Sequence, residues 1–229
     1  MRKCGWLIAV VGLLGMLGVQ AQGTPIPGLN NTGLATEGQA DPNYFLVGNP
    51  NPLPAYVVFS DGFPFYDQWA HYWMDNTASS SWIAPQADYR NFGTDPPNAY
   101  YIFFTTFVIP AGYNPATAWI SGRWSTDNLG VSITLNSTNT GNSMGQPDPN
   151  NDTHSYLAWY NFSITSGFVV GLNTLYFEVY NIAGPVNPAG LRVEFLDSDM
   201  EAIPEPATLG LLGIGLLGLG LVGKRMKKA

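Results

Sequence analysis

From residue 100 onward the chain is written in short alternating runs, and this period of two constrains its fold more than any other feature. Val131, Ile133 and Leu135 alternate with Ser132, Thr134 and Asn136. Leu175, Phe177 and Val179 share one face of residues 172–180, and Leu191, Val193 and Phe195 alternate with Arg192 and Glu194. Successive side chains of a strand point to opposite faces, so each run reads as a strand with one face buried and one wet. Residues 44–47, 55–59, 117–122 and 155–164 read as further strands between turns rich in Gly, Pro and Asn. Residues 100–109 differ: β-branched and aromatic residues fill both faces until Pro110 and Gly112, which reads as a central strand. The stretch 63–82, with Trp69, Tyr72, Trp73 and Trp82, holds no helical period and reads as loop. The expected fold class is all-β, an antiparallel β-sandwich or jelly roll.

The two ends are of another kind. Arg2 and Lys3 precede an apolar run from Trp6 to Val19, and Val19-Gln20-Ala21 offers compact residues to a signal peptidase. Residues 1–21 therefore read as a signal peptide cut after Ala21, too short for a membrane span and followed by Gly23, Pro25 and Pro27. The lone cysteine, Cys4, lies in that segment, so the exported domain at 22–200 has no disulfide, thiol nucleophile or thiolate metal site. Charge separates in the same way. Between the ends stand only Arg90, Arg123 and Arg192 against fifteen acids, 3 minus 15 or a net of −12, with no lysine. Nucleic acid is excluded as a partner, because counterion release needs clustered cations. Cations, neutral glycans and basic surfaces remain.

Two stretches carry resemblances to known families. Gly122-Arg123-Trp124-Ser125-Thr126-Asp127-Asn128, residues 133–136, residues 171–179 with Asn181, and Pro188-Ala189-Gly190-Leu191 resemble the galactose-binding-like jelly roll of exported bacterial proteins. Asn31-Thr32-Gly33 and residues 81–85 fit the same pattern, so the likeness spans most of 30–196. One departure is Ser137, where the pattern has a glycine after Asn136. The second resemblance is more specific. Ile203-Pro204-Glu205-Pro206, an apolar segment and Lys224-Arg225 are similar to the PEP-CTERM signal read by exosortases, membrane enzymes associated with extracellular polysaccharide. This implies a sorting and anchoring segment at 203–228, with signal peptidase and an exosortase-type enzyme as partners.

The tail has its own physical logic. Residues 207–223 are seventeen uncharged residues, which as a helix would extend about 26 Å, near the thickness of a thin bilayer. Lys224, Arg225, Lys227 and Lys228 would stop it on the cytoplasmic side, leaving the β domain outside. Pro204 and Pro206 hold Glu205 extended, as a processing enzyme requires. The reading is a transient transmembrane anchor, cut near Glu205, on a protein bound for the cell surface or extracellular matrix.

Within the domain, Trp124 with Asp127 and Asn128 is the first candidate glycan site. Such jelly-roll modules bind sugars, and a ring face beside amide and carboxylate groups suits one. The alternative is that Trp124 is core and Asp127-Asn128 a turn. Trp69, Tyr72 and Trp73 are a second candidate stacking platform, or else a packed loop. Asp148, Asn150 and Asp152 offer oxygens at alternate positions for Ca2+, but Thr153 and Trp159 stand where an EF-hand needs Gly and Glu. A structural Ca2+ there, or at Asp41 and Asn43, is the one cofactor expected. His71 and His154 fall in no metal spacing, and no catalytic motif occurs. The expected function is a noncatalytic surface protein that binds polysaccharide. A hydrolase using two carboxylates is the alternative. A structural or ice-binding coat protein is the third, although no threonine ladder is present.

Overall fold

Ten strands and one 3₁₀ turn make up the domain seen in the computed structural model, which describes residues 23–66, 71–91, 95–146, 155–182 and 187–203, with Gly213 and Gly215. They are β1 (Ala40–Leu46), β2 (Leu53–Val57), β3 (Ile83–Ala84), β4 (Ala99–Ile109), β5 (Tyr113–Asp127), β6 (Leu129–Leu135), β7 (Thr138–Asn139), β8 (Tyr160–Ile164), β9 (Gly171–Asn181) and β10 (Gly190–Ala202). The 3₁₀ turn is Ser155–Leu157. All strands hydrogen-bond in the order β7-β6-β9-β4-β1-β2-β3-β10-β5-β8, every pair antiparallel.

That ribbon curls into two layers. Trp124 of β5 and Phe162 of β8 reach Phe177 of β9 at ring-centroid distances of 5.9 and 6.2 Å, although β9 lies far from both in the strand order. β2 and the two-residue β3 carry the sheet from one layer to the other, and the result is an antiparallel sandwich of jelly-roll type. Phe103, Phe107, Ile133, Leu175, Val179, Ile120, Leu191 and Val193 meet in the core between the layers. Residues Gly23–Ile203 form this unit.

Several strands are longer than alternation alone indicates. β5 and β10 run for fifteen and thirteen residues, because they pair from Gly190↔Asp127 to Ala202↔Tyr113 through two irregularities that break the period. Residues 155–164 divide into the 3₁₀ turn and β8. Between β6 and β7, Asn136 takes a φ of 55° while Ser137 does not have positive φ. Positive φ is needed only at the first turn position, so no glycine is required at 137.

The loop between β2 and β4 explains two further departures. Arg192 and Glu194, on the face of β10 that alternation leaves wet, are both buried. Arg192 donates to Ser80 Oγ (2.8 Å), the Asp75 carbonyl (2.5 Å) and Thr77 Oγ1 (3.0 Å). Glu194 accepts from Ser80 Oγ (2.7 Å) and from Arg123 Nη2 (2.6 Å). Trp159 lies under both guanidiniums, 4.5 Å from Arg123 and 4.8 Å from Arg192. Residues 75–80 thus close over β10. Burial pushes Glu194 up, but the Ser80 and Arg123 hydrogen bonds and the two arginine charges outweigh it and hold the carboxyl below its ordinary value.

Candidate functional site

Two of the candidate tryptophans, Trp124 and Trp73, are interior. Trp124 is 1% exposed, set between Phe177 and the backbone of Gly130, where a Cβ would lie 2.5 Å from its ring. Trp73 is fully buried, stacked on Trp82 at 4.3 Å and lying over Gly190. Its Nε1 donates to Asp127 Oδ2 at 2.7 Å, and Asn128 Oδ1 accepts from the Ile182 amide at 2.8 Å. Indoles of this kind each withdraw about 200 Å² from water, worth roughly 5 kcal/mol at ~25 cal/mol/Å², so packing claims them first.

Asp127 and Asn128 therefore join the distal loops to the strands, and the ring faces of Trp124 and Trp73 meet protein. Tyr72 is half-buried against Phe63, edge-on at 5.7 Å. Trp69, the candidate calcium residues Asp148, Asn150 and Asp152, and His154 lie outside the described residues. His71 Nε2 faces Asp75 Oδ1 at 3.1 Å. Asp41 is no open cation ligand, since Oδ2 accepts from the Gly33 amide (2.6 Å) and Oδ1 from those of Asn43 and Tyr44.

Aromatic surface is instead displayed on the outer face of the layer β1-β4-β9-β6. Inward residues of β4 alternate with Tyr100, Ile102, Phe104, Thr106 and Val108, and those of β9 with Leu172, Thr174, Tyr176 and Glu178. Register brings them into rungs. Phe45 stands opposite Phe104, Phe104 opposite Tyr176, and Tyr176 opposite Thr134. Ring centroids are 5.7 Å apart for the first pair and 5.9 Å for the second. Three strand spacings make this rung about 14 Å wide. Flanking it are Ile102, Glu178 and Ser132 on one side and Thr106 and Thr174 on the other. Beyond Ile102, Tyr100 packs on Tyr180 at 4.9 Å.

A groove opens beside this face, between Val47 with the start of β2 (Leu53, Pro54) and the start of β4 (Tyr100, Tyr101, Ile102), with a volume of about 420 Å³. Tyr101 hydrogen-bonds the Pro96 carbonyl at 3.3 Å, and its phenol is pushed up to about 12 by burial and then by Asp95. Asp95 is buried and accepts from Tyr89 Oη (2.5 Å) and the Ala189 amide (2.8 Å). Desolvation raises its carboxyl above the usual range despite those hydrogen bonds.

Electrostatics of the face are simple. Glu178 is the one acid in the rungs, and Ser132 Oγ donates to it at 2.9 Å. All three arginines are engaged elsewhere: Arg90 with Asp61 and Asp88, Arg123 and Arg192 with Glu194. Alternation finds the buried half of β4 and β9 but is silent about the other half. The signal present was the excess apolarity of residues 100–109, which a central strand covered on both faces would also produce.

The fold and its outer face define a β-sandwich with a displayed aromatic surface. Comparison adds where it goes: residues 202–225 match the PEP-CTERM protein-sorting motif. The chain is thus an exported protein carrying the signal read by an exosortase. A solved structure titled "Structure of CBM35 from Paenibacillus barcinonensis" shares 16% identity, over 69% of this chain and 94% of that one, at a TM-score of 0.31. No curated protein matches the chain. Among the described residues no helix is long and apolar enough to cross a membrane. The expected signal peptide and anchor helix lie outside those residues, apart from Gly213 and Gly215, which are helical.

Proposed function

We propose that the exported domain is a noncatalytic binding module that holds an uncharged polysaccharide along the outer face of β1-β4-β9-β6. The observation that carries this reading is the solvent-side rung Phe45–Phe104–Tyr176, three rings in register across three strands. Ring faces take the C–H surfaces of sugars, while Ser132, Thr134, Thr106, Thr174 and the Tyr176 hydroxyl supply hydrogen-bond partners on the same face. An uncharged ligand follows from the charge balance. With the domain's three arginines paired and a net of −12 on the domain, an anionic chain would be repelled and find no cation to bind.

Binding rather than hydrolysis is favoured by the carboxylates themselves. Glu178 is flanked in its rung by Ile102 and Ser132, so that rung bears a single acid. Glu194 is ion-paired and held below its usual value, the reverse of a general acid. Anchoring of the tail through residues 207–223, then release near Glu205, would deliver the module to the envelope or its polymer.

A glycan array with the exported chain tests the reading. Retention on neutral polysaccharides, none on uronate-rich or sulfated ones, and loss on Phe104→Ala support it. Binding that Phe104→Ala leaves intact, or reducing ends released from any array glycan, would contradict it.

A further inference from the structure

The sandwich has a chemically distinct end. Pro110–Gly112 link β4 to β5 there, the loop 165–170 leads into β9 there, and β10 leaves the sheet there, with the Ile203 amide still bonded to the Gly112 carbonyl at 2.7 Å. Val108 and Leu172 face each other in the last outward rung. Val169 and Val170 follow in the loop. Leu172 is 65% exposed and Ile203 55%, and Val108, Val169 and Val170 are exposed as well. A Cβ at Gly112 or Gly171 would meet nothing within 4 Å, so both turns are open.

This end is also poor in charge. No Asp, Glu, Lys or Arg occurs in residues 105–117 or 163–177, in a domain with fifteen acids. Asp199 and Glu201 of β10 are the nearest acids in the chain to Ile203 within the domain. The three arginines belong elsewhere, with the loops between β2 and β4 and the far halves of β5 and β10.

Chain length says what lies opposite. The sorting motif begins at Ala202, the last residue of β10, and the apolar stretch begins at Ala207. Four residues from Ile203 to Ala207 span at most about 14 Å fully extended. If residues 207–223 enter a bilayer, no spacer lifts the sandwich away, and its apolar end is the part next to the lipid. We infer that Val108, Val169, Val170, Leu172 and Ile203 form a membrane-resting rim that sits at the headgroup boundary while the tail is in place. The exposed aliphatic side chains of the two charge-free loops can enter that boundary, with Glu201, opposite Asn114, as the acid that borders them, whereas the acidic remainder of the domain cannot. The rim would keep the Pro204–Pro206 segment at the depth where a membrane enzyme works, and would let the domain leave once the tail is cut, because five shallow side chains do not anchor it alone. This inference rests on the anchoring reading of residues 207–223.

The test uses residues 22–229, the chain left once the signal peptide is cut, which has no cysteine of its own, reconstituted into phosphatidylcholine vesicles and floated on a density gradient. Val170→Cys or Val169→Cys is labelled with an environment-sensitive fluorophore, and Leu157→Cys, in the 3₁₀ turn at the far end, is the reference. Quenching by lipids with a nitroxide near the headgroup should be at least threefold stronger at 169 and 170 than at 157. Chains that float but show equal, weak quenching at all three positions overturn the rim and leave the anchor standing; the enzyme would then be the partner of that end. Chains that do not float overturn both.

Discussion

Tyr176 of β9 stands directly opposite Phe104 of β4 on the solvent side of the sheet, ring centroids 5.9 Å apart. Both rings are half-buried by each other and by neighbouring strands, yet neither belongs to the core. Cross-strand pairs of this kind stabilise a sheet by only about 0.2–1 kcal/mol. Tyr176→Ala should therefore lower the unfolding free energy by about 1 kcal/mol or less while weakening polysaccharide binding about tenfold, a loss of about 1.4 kcal/mol. Denaturant melts beside affinity electrophoresis in neutral polysaccharide gels would check the pair of effects.

Asp127 should behave in the opposite way. Its carboxylate accepts from the indole of Trp73 in the interior, and its removal leaves a buried donor without that acceptor. Asp127→Ala should destabilise the domain by about 1–3 kcal/mol. At a temperature where the variant is folded, its affinity for polysaccharide should equal that of the parent, as measured by isothermal titration.

The Glu194 clamp makes stability depend on acid. Its folded value lies below the ordinary 4.5, so the unfolded chain takes up a proton first as pH falls. The stabilisation is present above pH 4.5 and is lost as pH drops through the folded value. Glu194→Gln keeps an acceptor for Ser80 but removes the charge facing Arg123 and Arg192, and should cost about 3 kcal/mol at pH 7. Thermal melts from pH 7 to pH 3 should show the gap between parent and variant narrowing below pH 4.5, and a gap that widens there would contradict the assignment.

For the tail, mass spectrometry of the epitope-tagged domain from the native host separates a cleaved anchor from a permanent one. The parent should lack Lys224, Arg225, Lys227 and Lys228, and Glu205→Ala should retain them. Identical masses that both include the basic terminus would mean no processing at Glu205.

What sequence conveyed and what it did not follow from the range of each interaction. Alternation located the inward residues Leu175, Phe177 and Val179 of β9 because one sheet with one buried face has a local period. It misassigned the outer face of β10, since the cover over Arg192 and Glu194 comes from Ser80 and Thr77, more than a hundred residues away. Trp124 and Trp73 are large amphipathic rings, and whether such a ring is core or platform is decided by facing strands, not by neighbours in the chain. The Phe45–Phe104–Tyr176 rung was equally hidden, because it exists only through the register of three strands brought together by the fold.

The most direct test of that surface follows side-chain NMR resonances of the labelled chain while a neutral oligosaccharide is added. Ring signals of Phe45, Phe104 and Tyr176 should shift in a saturable, concentration-dependent way, with those of Trp73, Trp82 and Trp124 unmoved. Shifts confined to the loops around Asp127 and Tyr72, with the three rings silent, would place the binding surface elsewhere and contradict the central claim.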